Sequence, residues 1–392
     1  MAYNEMASRM RTLVIFRRLL DDEVVQAFLH LAEAAPADRV ERYADFAYRL
    51  FLGGENFTDY VWRLIASDDN AYVRRRARQE PVSDAMEACA ARELALLQTV
   101  ATLTSGEVKA QMAADMPLPD WATNPVPDFQ KAYAARMERA PMTGYGMYAD
   151  YTVFRFRRGK IVPVRTPDPI RLADLSGYER ERERLVRNTQ AFFRDRPVAN
   201  ALLYGDAGTG KSSAVKAVVN EFAHRGLRLV EVGKGDLLEL PAVAEALSDN
   251  PLKFILFVDD LSFSRDNEEI GALKAILEGS ACARAKNVAV YATSNRRHLV
   301  RENFSDRGGD DIHANETMAE QTSLSERFGL SILFAKPNKD AYLGIVRALA
   351  EAHGVAAVEN LEPLAEQFAL ERGGRSGRAA RQFVEHVLRM QG

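Results

Sequence analysis

Residues 201–213 read Ala-Leu-Leu-Tyr-Gly-Asp-Ala-Gly-Thr-Gly-Lys-Ser-Ser. The apolar start, Ala201 to Tyr204, has the length of a buried strand, and Ser213 to Phe222 carries a helical pattern. Between them, Gly205 to Ser212 fits Gly-x4-Gly-Lys-[Ser/Thr], a loop whose chemistry depends on that spacing. Glycines let the backbone turn tightly enough for successive amides to point at one phosphate, and the helix that follows adds its positive dipole end. Lys211 would reach the β/γ oxygens of a nucleotide, and the Ser212 hydroxyl would ligate Mg²⁺. The candidate phosphate-contacting set is therefore Gly205, Asp206, Ala207, Gly208, Thr209, Gly210, Lys211, Ser212 and Ser213.

Working outward, Phe254 to Val258 is a continuous apolar run, as expected of a strand buried on both faces, and it ends in Asp259-Asp260. Two strand-end carboxylates can simply cap a turn. Behind a phosphate loop, Asp259 is expected to hold the Mg²⁺ shell and Asp260 to orient the attacking water. Leu227 to Val232, Val288 to Tyr291 and Ser331 to Phe334 supply three further strands. Five strands alternating with helical stretches predict an α/β fold, a doubly wound parallel five-stranded sheet with its ligand at the carboxyl ends of the strands. Asn295 leaves one such end, where its amide can meet a γ-phosphate or the water, although asparagine also forms plain turns. Arg327 stands just before the last strand, too far round the sheet to bend onto its own nucleotide, so it would act on a neighbouring copy.

Beyond the sheet, Asn338 can cap a helix running to about His353, followed by helical stretches Leu361 to Arg372 and Ser376 to Met390. At the start of the last, Arg375, Arg378 and Arg381 compete for a phosphate-facing role that suits a fixed, forked charge, and Arg378 is favoured. Before the sheet, Val24, Phe28 and Leu31, then Tyr43, Phe46 and Leu50, fall at helical spacing. Pro117, Pro119, Pro125 and Pro127 prevent a continuous helix, and Tyr151 to Val164 reads as a hairpin with Gly159 at its turn. The expected division is a mainly helical domain over 1–115, a proline-rich linker and hairpin over 116–165, the nucleotide domain over 166–336 and a helical lid over 337–392.

Composition narrows the remaining possibilities. The chain has 392 residues, 47% hydrophobic and 27% charged, which excludes a disordered or fibrous chain. The longest uncharged stretch, the 13 residues from Leu94 to Gly106, is too short and polar to span a bilayer. With no apolar leader pattern and only Cys89 and Cys282, a cytoplasmic protein without disulfides or membrane contact is expected. The net charge of −3 hides an uneven distribution: −5 over 1–150, +6 over 151–200 and −4 thereafter. The local basic excess could face an anionic partner or be a solvated linker. The Arg74-Arg75-Arg76-Ala77-Arg78 run leaves nucleic acid possible, against a solvated helix face or intersubunit ion pairs.

Taken together, Gly205 to Ser212, Asp259-Asp260, Asn295, Arg327 and Gly377-Arg378 resemble the Walker A, Walker B, sensor 1, arginine finger and sensor 2 elements of an AAA+ ATPase, in that order. Tyr204 to Ser213, Phe257 to Phe263 and Ala292 to Leu299 further resemble a bacterial AAA+ family of predicted ATPases with no assigned role. The resemblance implies ATP and Mg²⁺ as ligands and hydrolysis to ADP and phosphate at subunit interfaces. It also implies a ring or other homo-oligomer with Arg327 inserted in trans, acting on an unknown protein client. Leu175 to Tyr178 is similar to the segment lying against adenine in such proteins, which adds Gly177 and Tyr178 to the site.

Two departures from the family bear on function. Asp260 stands where most AAA+ proteins carry Glu, so a slowly hydrolysing scaffold or switch is the alternative to a remodelling machine. No aromatic residue occurs between Val230 and Phe254, where protein-threading rings carry a pore loop. A P-loop kinase is disfavoured because it leaves Asn295, Arg327 and the late arginines without a task. In the polar stretch Arg301 to Ser323, His313 lies near Asp310 and Asp311, but the spacing matches no common metal-ligand pattern.

Overall fold

The computed structural model describes residues 3–112, 117–124, 128–194, 196–261, 267–278, 285–295 and 326–391. Pro125, Pro127, Cys282 and the stretch containing His313 lie outside the described residues. The chain divides into two compact units, Met1–Asp150 and Tyr151–Gly392.

The first unit is helical. Asp22 caps the helix Glu23–Glu33 by accepting from the amides of Val24 and Val25, an arrangement that stabilises a helix start by about 1 kcal/mol. The helical spacing seen in the sequence becomes a buried stripe: Val24, Phe28 and Leu31 pack with Tyr43, Phe46 and Leu50 of the helix Arg39–Gly53. Residues 117–124 of the proline-crowded stretch pack here as well. Trp121 is buried edge-on against Phe46, its indole N–H donating to the Leu103 carbonyl, and the Tyr43 hydroxyl donates to the Pro119 carbonyl. The arginine run is answered within this unit: Arg74 forks onto Asp69, Arg76 pairs with Glu87 and Arg78 with Glu80.

The second unit is built on one sheet with seven strands, β1 (Val153–Arg157), β2 (Lys160–Pro163), β3 (Ala201–Gly205), β4 (Leu227–Val232), β5 (Lys253–Val258), β6 (Val288–Ser294) and β7 (Leu330–Phe334). Their order is β2-β1-β4-β5-β6-β3-β7. The predicted strands are five of these, β3 to β7, and all run parallel. The five-strand expectation is corrected because the hairpin does not stand apart. β1 pairs in parallel with β4, Phe156 opposite Val232, and β2 closes the edge antiparallel to β1. Backbone groups left open on the β4 side are thereby paired, and the sheet ends on a short strand carrying Lys160 and Pro163, which discourages further strand addition.

The helices Glu179–Gln190 and Lys211–Phe222 cover one face, burying Leu185, Val215, Val218 and Val219 against Leu203, Ile255, Phe257 and Ile332. The helix Leu240–Ser248 packs against β5 and β6. Three helices, Lys339–Ala352, Leu361–Glu371 and Gly377–Gln391, follow β7 and share a core around Tyr342, Val346, Ala365 and Phe383. Asn338 caps the first of them through the Ala341 amide. Among the described residues no helix is long and apolar enough to cross a membrane.

Candidate functional site

The loop from β3 into the helix Lys211–Phe222 turns on three glycines with positive φ, conformations that L side chains rarely adopt. Gly205 has φ +132°, and a Cβ there would sit 2.2 Å from the Phe334 carbonyl oxygen on the neighbouring strand. Gly208 and Gly210 are also left-handed, with φ of +76° and +89°. Lys211, the first residue of the helix, is buried and turned back over the loop, its ammonium donating to the carbonyls of Gly205 at 3.0 Å and Asp206 at 2.6 Å. Burial pushes Lys211 below its ordinary lysine value, against the pull of Asp206, Asp259 and Asp260. A partly desolvated cation at the mouth of a glycine turn is arranged to receive an anion.

The carboxyl ends of β5 and β6 complete the opposite wall. Ser212 donates to the Oδ1 of Asp259 at 2.6 Å, and Thr293 donates to the same oxygen at 2.6 Å. The Thr293 hydroxyl in turn accepts the Asp260 amide at 2.8 Å. Asp260 adopts φ +53°, a left-handed conformation uncommon outside glycine. Asn295 donates to Asp260 Oδ1 at 2.8 Å, while Lys234, just beyond β4, pairs with Oδ2 at 3.2 Å. Ser212, Asp259, Asp260 and Asn295, far apart in sequence, thus form one connected hydrogen-bonded set.

A cavity of about 710 Å³ opens over this set, lined by the loop from Ala207 to Ala214 and by Gly177, Tyr178, Ile345, Arg378 and Arg381 among others. Tyr178 packs on Phe334 with ring planes tilted by 30° and centroids 5.2 Å apart, and its hydroxyl donates to the Ala335 carbonyl. Burial, with smaller contributions from Asp206 and Glu181, pushes the phenol up to about 12, so it remains a neutral donor. Gly177 has φ +78°, a left-handed conformation that favours glycine, and a Cβ there would press on Ile345 Cδ1 at 2.9 Å. Arg182 donates to the carbonyls of Leu172 and Leu175 and so fixes the Leu175–Tyr178 segment.

The three late arginines separate by geometry. Arg375 forks onto Glu366, closest at 2.6 Å, whereas Arg378 and Arg381 line the cavity. The Arg378 amide donates to the Gly208 carbonyl at 3.0 Å, so the last helix starts directly on the phosphate loop. Arg327 is half-buried ahead of β7. Its strand begins opposite Ala201 and ends opposite Gly205, which puts Arg327 at the amino edge of the sheet and the loop at the carboxyl edge.

A family model described as "Protein of unknown function (DUF815)" matches residues 149–391. The chain belongs to the DUF815 family. Its second unit combines the phosphate loop with the strand order β4-β5-β6-β3-β7, making this DUF815 chain a P-loop protein of AAA+ type with no role assigned by the family description. The large subunit of replication factor C from Thermofilum pendens is 29% identical over 119 residues, covering 28% of this chain and 28% of that protein. The Thermotoga maritima RuvB Holliday junction branch migration motor superposes with a TM-score of 0.38 at 18% identity over 57% of this chain and 65% of that one. A point mutant of that motor gives 0.39 at 17% over the same shares. The DUF815 chain therefore spans less than two thirds of each of these proteins.

Lys234, Thr293 and Arg182 were not singled out by sequence reasoning. Only a weak signal existed for the first two: each lies at the carboxyl end of a parallel strand, where ligands of such sheets bind. Arg182 sits in an alternating Glu/Arg helix that reads as a solvated face, and nothing in that pattern marks it.

Proposed function

We propose that this DUF815 chain binds Mg²⁺-ATP at the carboxyl edge of its sheet and hydrolyses it to ADP and phosphate at an interface between copies. Turnover would remodel a protein or protein–nucleic acid assembly. The observation that carries the reading is the meeting of Ser212, Asp259, Asp260 and Asn295 beside Lys211 in one cavity.

The residues suit the two ligands. Gly205, Gly208 and Gly210 leave backbone where side chains would block a phosphate chain, and Gly177 and Tyr178 form an apolar wall for a base. Ser212 and Asp259 present two hard oxygen donors 2.6 Å apart and would hold Mg²⁺, which when bound neutralises charge on the β/γ oxygens. Lys211 exchanges its two carbonyl partners for phosphate oxygens. Asp260 orients the attacking water, and Asn295 fixes the carboxylate that does so. Arg378 closes on the phosphates from the last helix, and Arg327 reaches the nucleotide of a neighbouring copy.

The slower, switch-like reading also has its own support. Both Asp260 oxygens are engaged, one by Asn295 and one by Lys234, and the side chain is one methylene shorter than glutamate. Steady-state phosphate release, compared with Lys211→Ala across a wide range of protein concentration, tests the enzyme reading. Equal rates would sink it. Turnover that rises in Lys234→Ala would favour the switch.

A further inference from the structure

The β1–β2 hairpin is not part of the proposed nucleotide chemistry, yet it is built in an unfavourable way. Arg155 and Arg157 share the exposed face of β1, while Phe154 and Phe156 are buried on the other. In the antiparallel register Arg157 lies directly opposite Lys160, a like-charge cross-strand pair that weakens a hairpin. Between them, Arg158 takes φ +50° and Gly159 φ +74°, both left-handed, as in the two-residue turn that normally prefers Asn-Gly. An arginine in that first position is placed there against backbone preference.

Neutralisation is also lacking. Arg155 pairs with Glu231 at 3.0 Å, but Arg157, Arg158 and Lys160 have no ion pair among the described residues. All three are exposed. They sit near the start of the segment 151–200, whose charge is +6.

The position of the tip adds a further constraint. Because β1 is parallel to β4, its turn emerges at the carboxyl edge of the sheet, with Phe156 opposite Val232. Lys234, which pairs with Asp260, lies two residues beyond Val232. The cationic tip therefore stands one strand away from the loop that touches the candidate water-orienting carboxylate.

We propose that the hairpin tip, Arg157, Arg158 and Lys160, is a nucleic-acid contact that grips backbone phosphates. A two-stranded ribbon with a narrow tip has the dimensions of a nucleic-acid groove, and two arginine forks suit phosphate oxygens. The tip itself, Arg157 to Lys160, carries no apolar side chain to insert into a lipid surface. This inference concerns binding alone and does not depend on ATP hydrolysis.

The test uses the full chain and a short fluorescein-labelled oligonucleotide of mixed sequence, offered single-stranded and as a duplex, with anisotropy read at about 50 and 200 mM salt. The tip variant is Arg157→Gln/Arg158→Asn/Lys160→Gln, in which asparagine keeps the left-handed turn. The control, Arg180→Gln/Arg187→Gln/Arg389→Gln, removes equal charge elsewhere, and thermal melting checks that both remain folded. Three lost phosphate contacts flatten the log–log salt slope by about 2.7 for a duplex, so wild type should lose roughly 40-fold more affinity than the tip variant between the two salt concentrations. Preference for one oligonucleotide form identifies the source of the phosphates, and either form supports the inference. No binding by wild type, or equal losses in tip and control variants, would overturn it. So would displacement of the oligonucleotide by polyglutamate at equal charge concentration, or equally tip-dependent binding to phosphatidylserine vesicles.

Discussion

Ser212 and Asp259, 47 residues apart, meet at 2.6 Å, the helix start after β3 touching the end of β5. Thr293 holds the same carboxylate oxygen from β6, so Asp259 is oriented from two sides. If this pair holds Mg²⁺, Asp259→Asn should keep much of the local packing and lose the metal. Phosphate release should fall by at least ~100-fold, as expected when a charge-neutralising group is removed from a phosphoryl-transfer site. Binding of a fluorescent ATP analogue separates this from general damage. Chelation with EDTA should weaken binding to wild type and leave the variant unchanged; a variant still sensitive to EDTA would remove Asp259 from the metal site.

Two glycines in the same unit should respond oppositely to a methyl group. At Gly205 a Cβ would overlap the Phe334 carbonyl at 2.2 Å in a backbone conformation with φ +132°. Gly205→Ala should cost about 2–5 kcal/mol, the sum of backbone strain and overpacking. Gly344 lies inside the helix Lys339–Ala352 with nothing within 4 Å of its built Cβ. Gly344→Ala should stabilise by about 0.5–1 kcal/mol through helix propensity. Chemical denaturation of the two variants measures both, and a tolerated Gly205→Ala would mean that β3 and β7 separate more easily than their register implies.

These residues also show what the amino-acid sequence discloses and what it withholds. Strand, phosphate loop and helix are contiguous, so residues 201–222 could be read from spacing alone, and apolar runs ending in polar residues located β5 and β6. Chain-distant contacts with no spacing rule were hidden. Lys234 looks like any loop lysine until the sheet sets it beside Asp260. The hairpin was visible as a hairpin, but its pairing with β4 depends on which edge of the sheet was open, which no local pattern encodes. Proline spacing likewise showed where a helix must stop, but not that Trp121 would return to the core between Tyr43 and Phe46. The competition among Arg375, Arg378 and Arg381 needed Glu366, nine residues before Arg375, to become informative.

Alkaline pH should unfold the chain through its buried phenols, and Tyr291 isolates one of them. It is fully buried in β6, its hydroxyl bonded to Thr189 at 2.8 Å and to Asn188 at 3.0 Å, and burial pushes it up to about 12. A tyrosine raised above its unfolded value of about 10 keeps its full contribution below pH ~10 and loses it as pH rises toward ~12, because the unfolded chain releases the proton first. Unfolding free energy should therefore fall over that window, and phenolate absorbance should rise together with loss of structure. Tyr291→Phe should be less stable at neutral pH by about 1–3 kcal/mol, since Thr189 and Asn188 lose a partner, and its decline above pH ~10 should be shallower. An unchanged slope would mean that other phenols control the transition.

Arg327 provides the sharpest test of interfacial hydrolysis. Between the residue opposite Ala201 and the residue opposite Gly205, β7 runs about 13 Å at 3.3 Å per residue, and Arg327 lies still further back from the phosphate loop. An arginine side chain on that edge cannot bend round the sheet to its own nucleotide, so an action on phosphate must be directed at another copy. Arg327→Ala should then bind the fluorescent ATP analogue as wild type does, while phosphate release falls by about 10³-fold or more, the usual loss when an arginine finger is removed. Lys211→Ala should bind poorly and also fail to turn over. Mixing the two inactive variants creates interfaces in which an intact Arg327 faces an intact Lys211, so activity should partly return and should rise with total protein concentration. If the mixture remains as inactive as its components while size-exclusion chromatography shows mixed oligomers, Arg327 does not act across the interface and the proposed geometry of hydrolysis is wrong.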